Sequence, residues 1–214
     1  MKFRRLYMIM IILALLNLAC FSTGAQTTPS DVLFFDDFSN TDKDWDKVTD
    51  TSYSTDYYNN AYRIIVNDPD FDVWANPGKE SFTDVNVEVD ATKNAGPDDN
   101  VFGVICRYID LDQFYYGLIS SDGYYGIMKM TSNGGMLIGE DYLLESDSIT
   151  LGAATNHIRF DCVGSTLTLY VNGTHLDQQT DSDYTTGNIG LIAGTSADSG
   201  GTDILFDNLI IYKP

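Results

Sequence analysis

Beyond residue 30 the apolar residues of this chain recur at every second position, in short runs broken by turn residues. Val85-Asn86-Val87-Glu88-Val89-Asp90 alternates cleanly, which on a pleated strand sends the valines to a buried face and the polar residues to a wet one. Leu167-Thr168-Leu169-Tyr170-Val171 does the same. No stretch keeps a convincing helical period. The pattern predicts strands over Val32–Phe35, Tyr62–Val66, Val73–Ala75, Val85–Asp90, Val101–Tyr108, Phe114–Ser120, Tyr124–Met130, His157–Cys162, Leu167–Val171, Ile189–Ala193 and Ile204–Tyr212. Many short strands with punctuating turns indicate an all-β sandwich or barrel. The acidic stretch Asn40–Asp56, with Trp45 inside it, reads as a long loop.

The turns sharpen this picture. Asp122-Gly123 and Asn172-Gly173 fit two-residue type I′ hairpins, whose central residues both need positive φ. Gly164-Ser165 and Asn133-Gly134-Gly135 are further turns. With Asp122-Gly123 as the loop, Ser121 lies opposite Tyr124 and Ile119 opposite Gly126. One hairpin face then carries Tyr115, Gly117, Ile119, Tyr124, Gly126 and Met128. The other carries Tyr116, Leu118, Tyr125, Ile127 and Lys129, and reads mainly as core. Glycine within a strand marks a bend or the close approach of another group. Cross-strand tyrosines are equally what a well-packed sheet needs.

The 214 residues allow one domain with a proper core, and no repeat or interdomain linker is visible. The formal net charge is −19, which repels phosphate backbones and argues against a nucleic-acid partner. The N-terminus is basic, then apolar from about Leu6 to Leu18, too short for a membrane span and suited to a secretion signal. Residues 1–25 are expected to be the signal, 26–31 a short leader and 32–214 the domain. Cleavage after Thr23-Gly24-Ala25 competes with a lipobox-like Leu18-Ala19-Cys20, which would lipidate Cys20 and anchor the domain to a bacterial membrane. Either route exports the protein. Without Lys2, Arg4 and Arg5 the remaining chain has nine basic against 31 acidic residues, a net −22. Cys106 and Cys162 both point to apolar strand faces, Cys106 with Phe102, Val104 and Tyr108, Cys162 with Ile158 and Phe160. In an exported protein they are expected to form one bridge through the core; two buried free thiols are the alternative.

Four segments carry a family likeness: Phe34-Phe35-Asp36-Asp37-Phe38, the tyrosine-rich hairpin 114–130, LTLYVNGTHLD at 167–177, and GNIGLIAGT at 187–195 with ILFDNLIIY at 204–212. Together they resemble the concanavalin A-like lectin/glucanase superfamily, in outline its laminin G-like and 3-keto-disaccharide hydrolase-type members. The resemblance spans nearly the whole of residues 32–213. It implies an antiparallel two-sheet jelly-roll sandwich. It leaves function open, because the superfamily holds lectins, glycanases and adhesion modules.

The chemistry narrows that choice. Laminarinase-like members carry Glu-x-Asp-x-x-Glu, with both glutamates on one strand face. This chain has Glu88-Val89-Asp90-Ala91-Thr92-Lys93, so a lysine stands where the acid/base belongs. No Gly-x-Ser-x-Gly elbow occurs, and the two histidines, His157 and His175, are far apart. The resemblance also implies a structural Ca2+ where the first and last strands meet, with Asp36 or Asp37 and Asp207 as ligands. A lectin site stacks a sugar on an aromatic ring and bonds its hydroxyls to planar polar groups. The expected ligand surface is Tyr115, Gly117, Tyr124 and Gly126, joined by Arg107, Arg159 and Asp161 if their strands share the hairpin's sheet. The leading expectation is therefore an exported, non-catalytic carbohydrate-binding module with a glycan partner. The alternatives are a sugar-active hydrolase of the same fold and a structural or protein-interaction module.

Overall fold

A computed structural model of the chain describes residues 31–196 and 200–214; the signal segment, Cys20 and most of the leader lie outside them. The described residues form β1 (Val32–Asp36), β2 (Val48–Thr49), β3 (Tyr53–Tyr58), β4 (Ala61–Val66), β5 (Phe71–Ala75), β6 (Val85–Ala95), β7 (Asn100–Asp110) and β8 (Gln113–Ile119). There follow β9 (Tyr124–Thr131), β10 (Gly134–Leu137), β11 (Leu144–Glu145), β12 (Thr155–Val163), β13 (Thr166–Val171), β14 (Thr174–Thr180), β15 (Asn188–Thr195) and β16 (Thr202–Tyr212). All pair antiparallel, in two sheets. The nine-stranded sheet runs β14-β13-β12-β6-β16-β4-β3-β2, with β1 also on β16. The seven-stranded sheet runs β10-β9-β8-β7-β15-β5, with β11 also on β9. This is the expected jelly-roll sandwich.

Alternation explains the main core. Val85, Val87, Val89 and Ala91 of β6, Phe160 of β12 and Leu167 and Leu169 of β13 are fully buried against Val104 of β7, Ile127 of β9 and Leu191 of β15. Each large apolar side chain so buried contributes about 1.5–3 kcal/mol. The Cys106–Cys162 disulfide crosses this core from β7 to β12 and covalently ties the sheets. Closing so long a loop stabilises the fold by about 4 kcal/mol on chain-entropy grounds. In β16 the inward spacing changes from two to three, Phe206 to Leu209, because a bulge with Asn208 at φ 53° absorbs one residue.

Three sequence expectations need correction. The stretch Asn40–Asp56 is not one loop: β2 and the start of β3 lie in it, and Trp45 is buried with its indole Nε1 donating to Asp36 (2.9 Å). The Asp122-Gly123 hairpin is longer than a two-residue turn. Ser120 N donates to Tyr124 O, Ile119 lies opposite Tyr125, and only Gly123 has positive φ. That is a three-residue loop, Ser121–Gly123, ending on a left-handed glycine. By contrast Asn172 and Gly173 both have positive φ between paired Val171 and Thr174, as a type I′ turn requires. Third, β7 bulges: Tyr108 lies opposite Asn188 and Ile105 opposite Gly190, so Cys106 and Arg107 share one partner position, with Arg107 at φ 53°. Tyr108 thereby leaves the Cys106 face and joins the outer one.

Candidate functional site

The outer face of the seven-stranded sheet carries a second apolar layer. Ile105, Phe114, Tyr116, Leu118, Met130 and Ile192 are buried there without an opposing sheet. They cover one another. Phe114 of β8 meets Trp74 of β5 at 5.2 Å between ring centres, although two strands lie between theirs, and it also contacts Tyr108 (5.5 Å) and Tyr116 (5.5 Å). Strands are spaced about 4.8 Å apart, so Trp74 and Phe114 lean toward each other over β7 and β15 and close the layer. Gly103, Gly190 and Gly194 alternate with Ile105 and Ile192 along that face; a Cβ would meet the β8 backbone at Gly103, Asn76 and Ile105 at Gly190, and Asp72 and Val101 at Gly194.

Trp74 is half-buried at the edge of this layer. Beside it lies a recess of about 230 Å³ lined by Tyr53, Phe71, Asp72, Val73, Trp74 and Leu111. Asp72 lies two residues from Trp74 on the same strand, hence on the same face. It is open to solvent on one side, yet crowded by its neighbours. That crowding, and Asp70 nearby, push its pKa up to about 6. Its carboxylate sits over Gly194, where any Cβ would collide with it.

The outer face of the nine-stranded sheet is built differently. Arg159 of β12 makes a two-pronged pair with Asp161 (2.7 and 2.8 Å), and its guanidinium lies over Tyr170 (5.0 Å) and Tyr212 (5.6 Å). His157 Nδ1 bonds Asp90 (2.8 Å), and Asn208 also donates to Asp90 (3.0 Å). The Tyr212 hydroxyl bonds Glu88. Glu88, with Asp90, holds the His157 imidazole protonated, its pKa pushed up to about 9. A recess of about 210 Å³ is lined by Glu88, His157, Arg159, Tyr170 and Gly173.

No family model matches the chain, and no curated protein does. Solved structures do. A carbohydrate-binding module, CBM66 from Bacillus subtilis, superposes with TM-score 0.63 at 15% identity, over 79% of this chain and 95% of that one. A Bacillus subtilis protein of unknown function with a galectin-like fold gives 0.59 at 12% identity, over 86% and 96%. A Bacteroides ovatus GH16 protein from a mixed-linkage glucan locus, in complex with an oligosaccharide product, gives 0.59 at 13% identity, over 84% and 100%. The fold is the concanavalin A-like jelly roll.

Within this concanavalin A-like frame the expected ligand residues scatter. Arg107 is 2% exposed and points inward at the rim between the sheets. It donates to the carbonyls of Thr83 (3.2 Å), Tyr184 (2.9 Å) and Gly164 (2.7 Å) and pairs with Asp84 (3.3 Å), so it is an anchor; the bulge in β7 turns it there. Tyr115 is fully buried in the main core, and its hydroxyl bonds Asp181, which Lys129 also holds (2.9 Å). Gly117 faces the same core, where a Cβ would meet Phe160 at 2.8 Å and Leu169 at 2.9 Å: the close approach is that of the opposite sheet. The hairpin register is one residue off the expected one, which moves Tyr124, Gly126 and Met128 to the face opposite Tyr115. There Gly126 is capped by Leu137 and Leu143, and Tyr124 lies opposite Glu145 of β11. Arg159 and Asp161 are on the other sheet, away from the hairpin. These seven residues therefore line no common groove.

Asp36 is 3% exposed and spends its carboxylate on Phe38 N (2.8 Å) and the Trp45 indole (2.9 Å). Asp37 accepts from Ser39, and Asp207 from Asn208 N (2.7 Å). Among the described residues no group of three or more His, Cys, Asp or Glu is disposed to hold a metal ion. Lys93 is buried and paired with Asp98, so the glucanase-like strand has no second glutamate at that position, while Glu88 and Asp90 share the half-exposed polar face and both hold His157. Sequence reasoning weighs Trp74, with Trp45, as an alternative ligand stacker but favours a core role for it, and it passes over Asp72. The signal for Asp72 was the pairing of a tryptophan with an acid at i, i+2 in Phe71-Asp72-Val73-Trp74-Ala75.

Proposed function

We propose that the protein is an exported, non-catalytic carbohydrate-recognition module whose ligand surface is the recess at Trp74, on the edge strand of the seven-stranded sheet. The observation that carries this reading is the half-buried Trp74 ring at the lip of a recess that also presents the Asp72 carboxylate. An indole supports the apolar face of a pyranose, and a partly desolvated carboxylate accepts hydrogen bonds from its hydroxyls more strongly than one in bulk water. Structures of the same fold that bind or process glycans support the ligand class. The acidic charge and the N-terminal signal pattern support a place outside the cell.

A glycan array probed with the purified protein, with and without calcium, tests the reading. Binding lost in Trp74→Ala with the fold intact supports it, and binding indifferent to Trp74 removes it. One observation favours a hydrolytic reading: Asp72, with Asp70 near it, has the raised pKa of a general acid. Release of reducing ends from a bound glycan, abolished in Asp72→Asn, would establish that alternative.

A further inference from the structure

The polar face of the nine-stranded sheet holds more hydrogen-bonding capacity than its own network uses. Arg159 commits Nε and Nη2 to Asp161, and its Nη1 lies 3.7 Å from Glu88 Oε1. His157 commits Nδ1 to Asp90, and its Nε2 lies 3.6 Å from Glu88 Oε2. Both separations are longer than a good hydrogen bond, so Glu88 holds these groups mainly as charges and their N–H donors keep capacity for a closer acceptor. Glu88 accepts the Tyr212 hydroxyl on Oε1, while Oε2 has only the long contact to His157 and can accept from a closer donor. Two donors and one acceptor from adjacent strands, β12 and β6, thus meet at the recess that Tyr170 and Gly173 complete.

We infer that this recess is a second carbohydrate site, on the opposite sheet from Trp74, which takes a neutral sugar unit with vicinal hydroxyls. Charge sets the ligand class. Glu88, Asp90 and Asp161 outnumber Arg159 and His157, and the protein as a whole is strongly acidic, so an anionic ligand is repelled. An aliphatic ligand would strand the donors. A diol satisfies both: one hydroxyl accepts from Arg159 Nη1 or His157 Nε2 while its neighbour donates to Glu88 Oε2. The groups are held in place beforehand. Arg159 is locked by Asp161 and two tyrosine rings, and His157 by Asp90, so little side-chain freedom is lost on binding. Gly173, in the tight Asn172-Gly173 turn, leaves the mouth of the recess without a side chain. With sites on both sheets the module is bivalent, and a polysaccharide or a dense glycan surface is held more tightly than a single oligosaccharide.

The inference stands apart from the Trp74 reading, and one experiment separates them. Neutral polysaccharides (a β-glucan, a xylan, a galactomannan, an α-glucan and a fructan) are cast into native gels. Retardation of the purified protein is compared with that of Trp74→Ala, Glu88→Gln and Arg159→Met. The expected result is at least one polysaccharide whose retardation survives Trp74→Ala and falls about tenfold in apparent affinity in both Glu88→Gln and Arg159→Met. Glu88→Gln keeps the size of the side chain and exchanges an acceptor oxygen for a donor, so it reports recognition even if Arg159→Met disturbs the sheet. Retardation equal in all three variants and the unaltered protein overturns the inference, as does retardation by none of these polymers. Loss in Trp74→Ala alone overturns it while leaving the first reading in place.

Discussion

The two outer faces of this sandwich solve the same problem in opposite ways. A sheet buried on one side must present its other side to water. The nine-stranded sheet does so with charge: Glu88 and Asp90 of β6 and His157, Arg159 and Asp161 of β12 alternate with core residues, His157 pairing across the strands and Arg159 with Asp161 along its own. The seven-stranded sheet instead turns Ile105, Phe114, Tyr116, Leu118 and Ile192 outward and covers them with Trp74, Tyr108 and Leu143. The first face is solvated at small net energetic effect, since exposed ion pairs contribute about 0–1 kcal/mol. The second gains stability from a minor core, and its rim leaves Phe71, Ile109 and Leu111 substantially exposed. The exposed apolar rim, beside the recess at Trp74, is what distinguishes this face from the charged one.

The comparison can be broken at its strongest point first. Phe114→Ala should lower unfolding stability by about 3–5 kcal/mol in urea titration, the range for an aromatic lost from a core. A loss below ~1 kcal/mol would show that the outer layer is not a packed core at all. Replacing Cys106 and Cys162 together by serine should cost about 2–4 kcal/mol, because both faces depend on the tie between the sheets. On the polar face Tyr170→Ala should cost only about 1 kcal/mol or less, since it removes cross-strand contacts with Arg159 and His175 but opens no core cavity.

The faces also differ in when they respond to pH. Asp72 has a folded pKa of about 6 against 3.8 for a free aspartate, so the folded protein holds its proton longer. Stability from this group is present below about pH 4 and is lost as the pH rises through 6. Glycan binding through the carboxylate should rise over the same window, and Asp72→Asn should flatten both curves. His157 has a folded pKa of about 9 against 6.5. Its contribution is complete below 6.5 and disappears as the pH rises through 9. Melting temperatures measured from pH 4 to 10 should show two separate declines. The upper one should vanish in His157→Gln, and its persistence there would assign it to another group. Both are small, because each side chain is partly exposed and screened by solvent.

Much of the fold was legible. Strong alternation in β6 and β13 marked their faces, and the Asn172-Gly173 turn formed as its residues demand. Five strands were missed: the short β2, β10 (which takes in the expected turn glycines Gly134 and Gly135) and β11, and the polar β3 and β14, which form because a neighbour, β4 or β13, offers them a paired edge. The candidate site was far less legible. Asp122-Gly123 admits a two- or a three-residue loop, and that single residue decides which hairpin face carries Tyr124 and Gly126.

The family resemblance, not the pattern, implied an antiparallel sandwich rather than a barrel; local alternation and turn chemistry by themselves determined an all-β chain, its longer apolar strands and the direction of both cysteines toward the core. Those depend on neighbours a few residues apart, which the chain specifies directly. Tertiary structure decided the rest. It put Arg159 and the hairpin on different sheets, turned Arg107 inward through a bulge, and brought Trp74 onto Phe114 across two strands. These outcomes depend on strand order and register between segments far apart in sequence, where a shift of one residue exchanges core for surface.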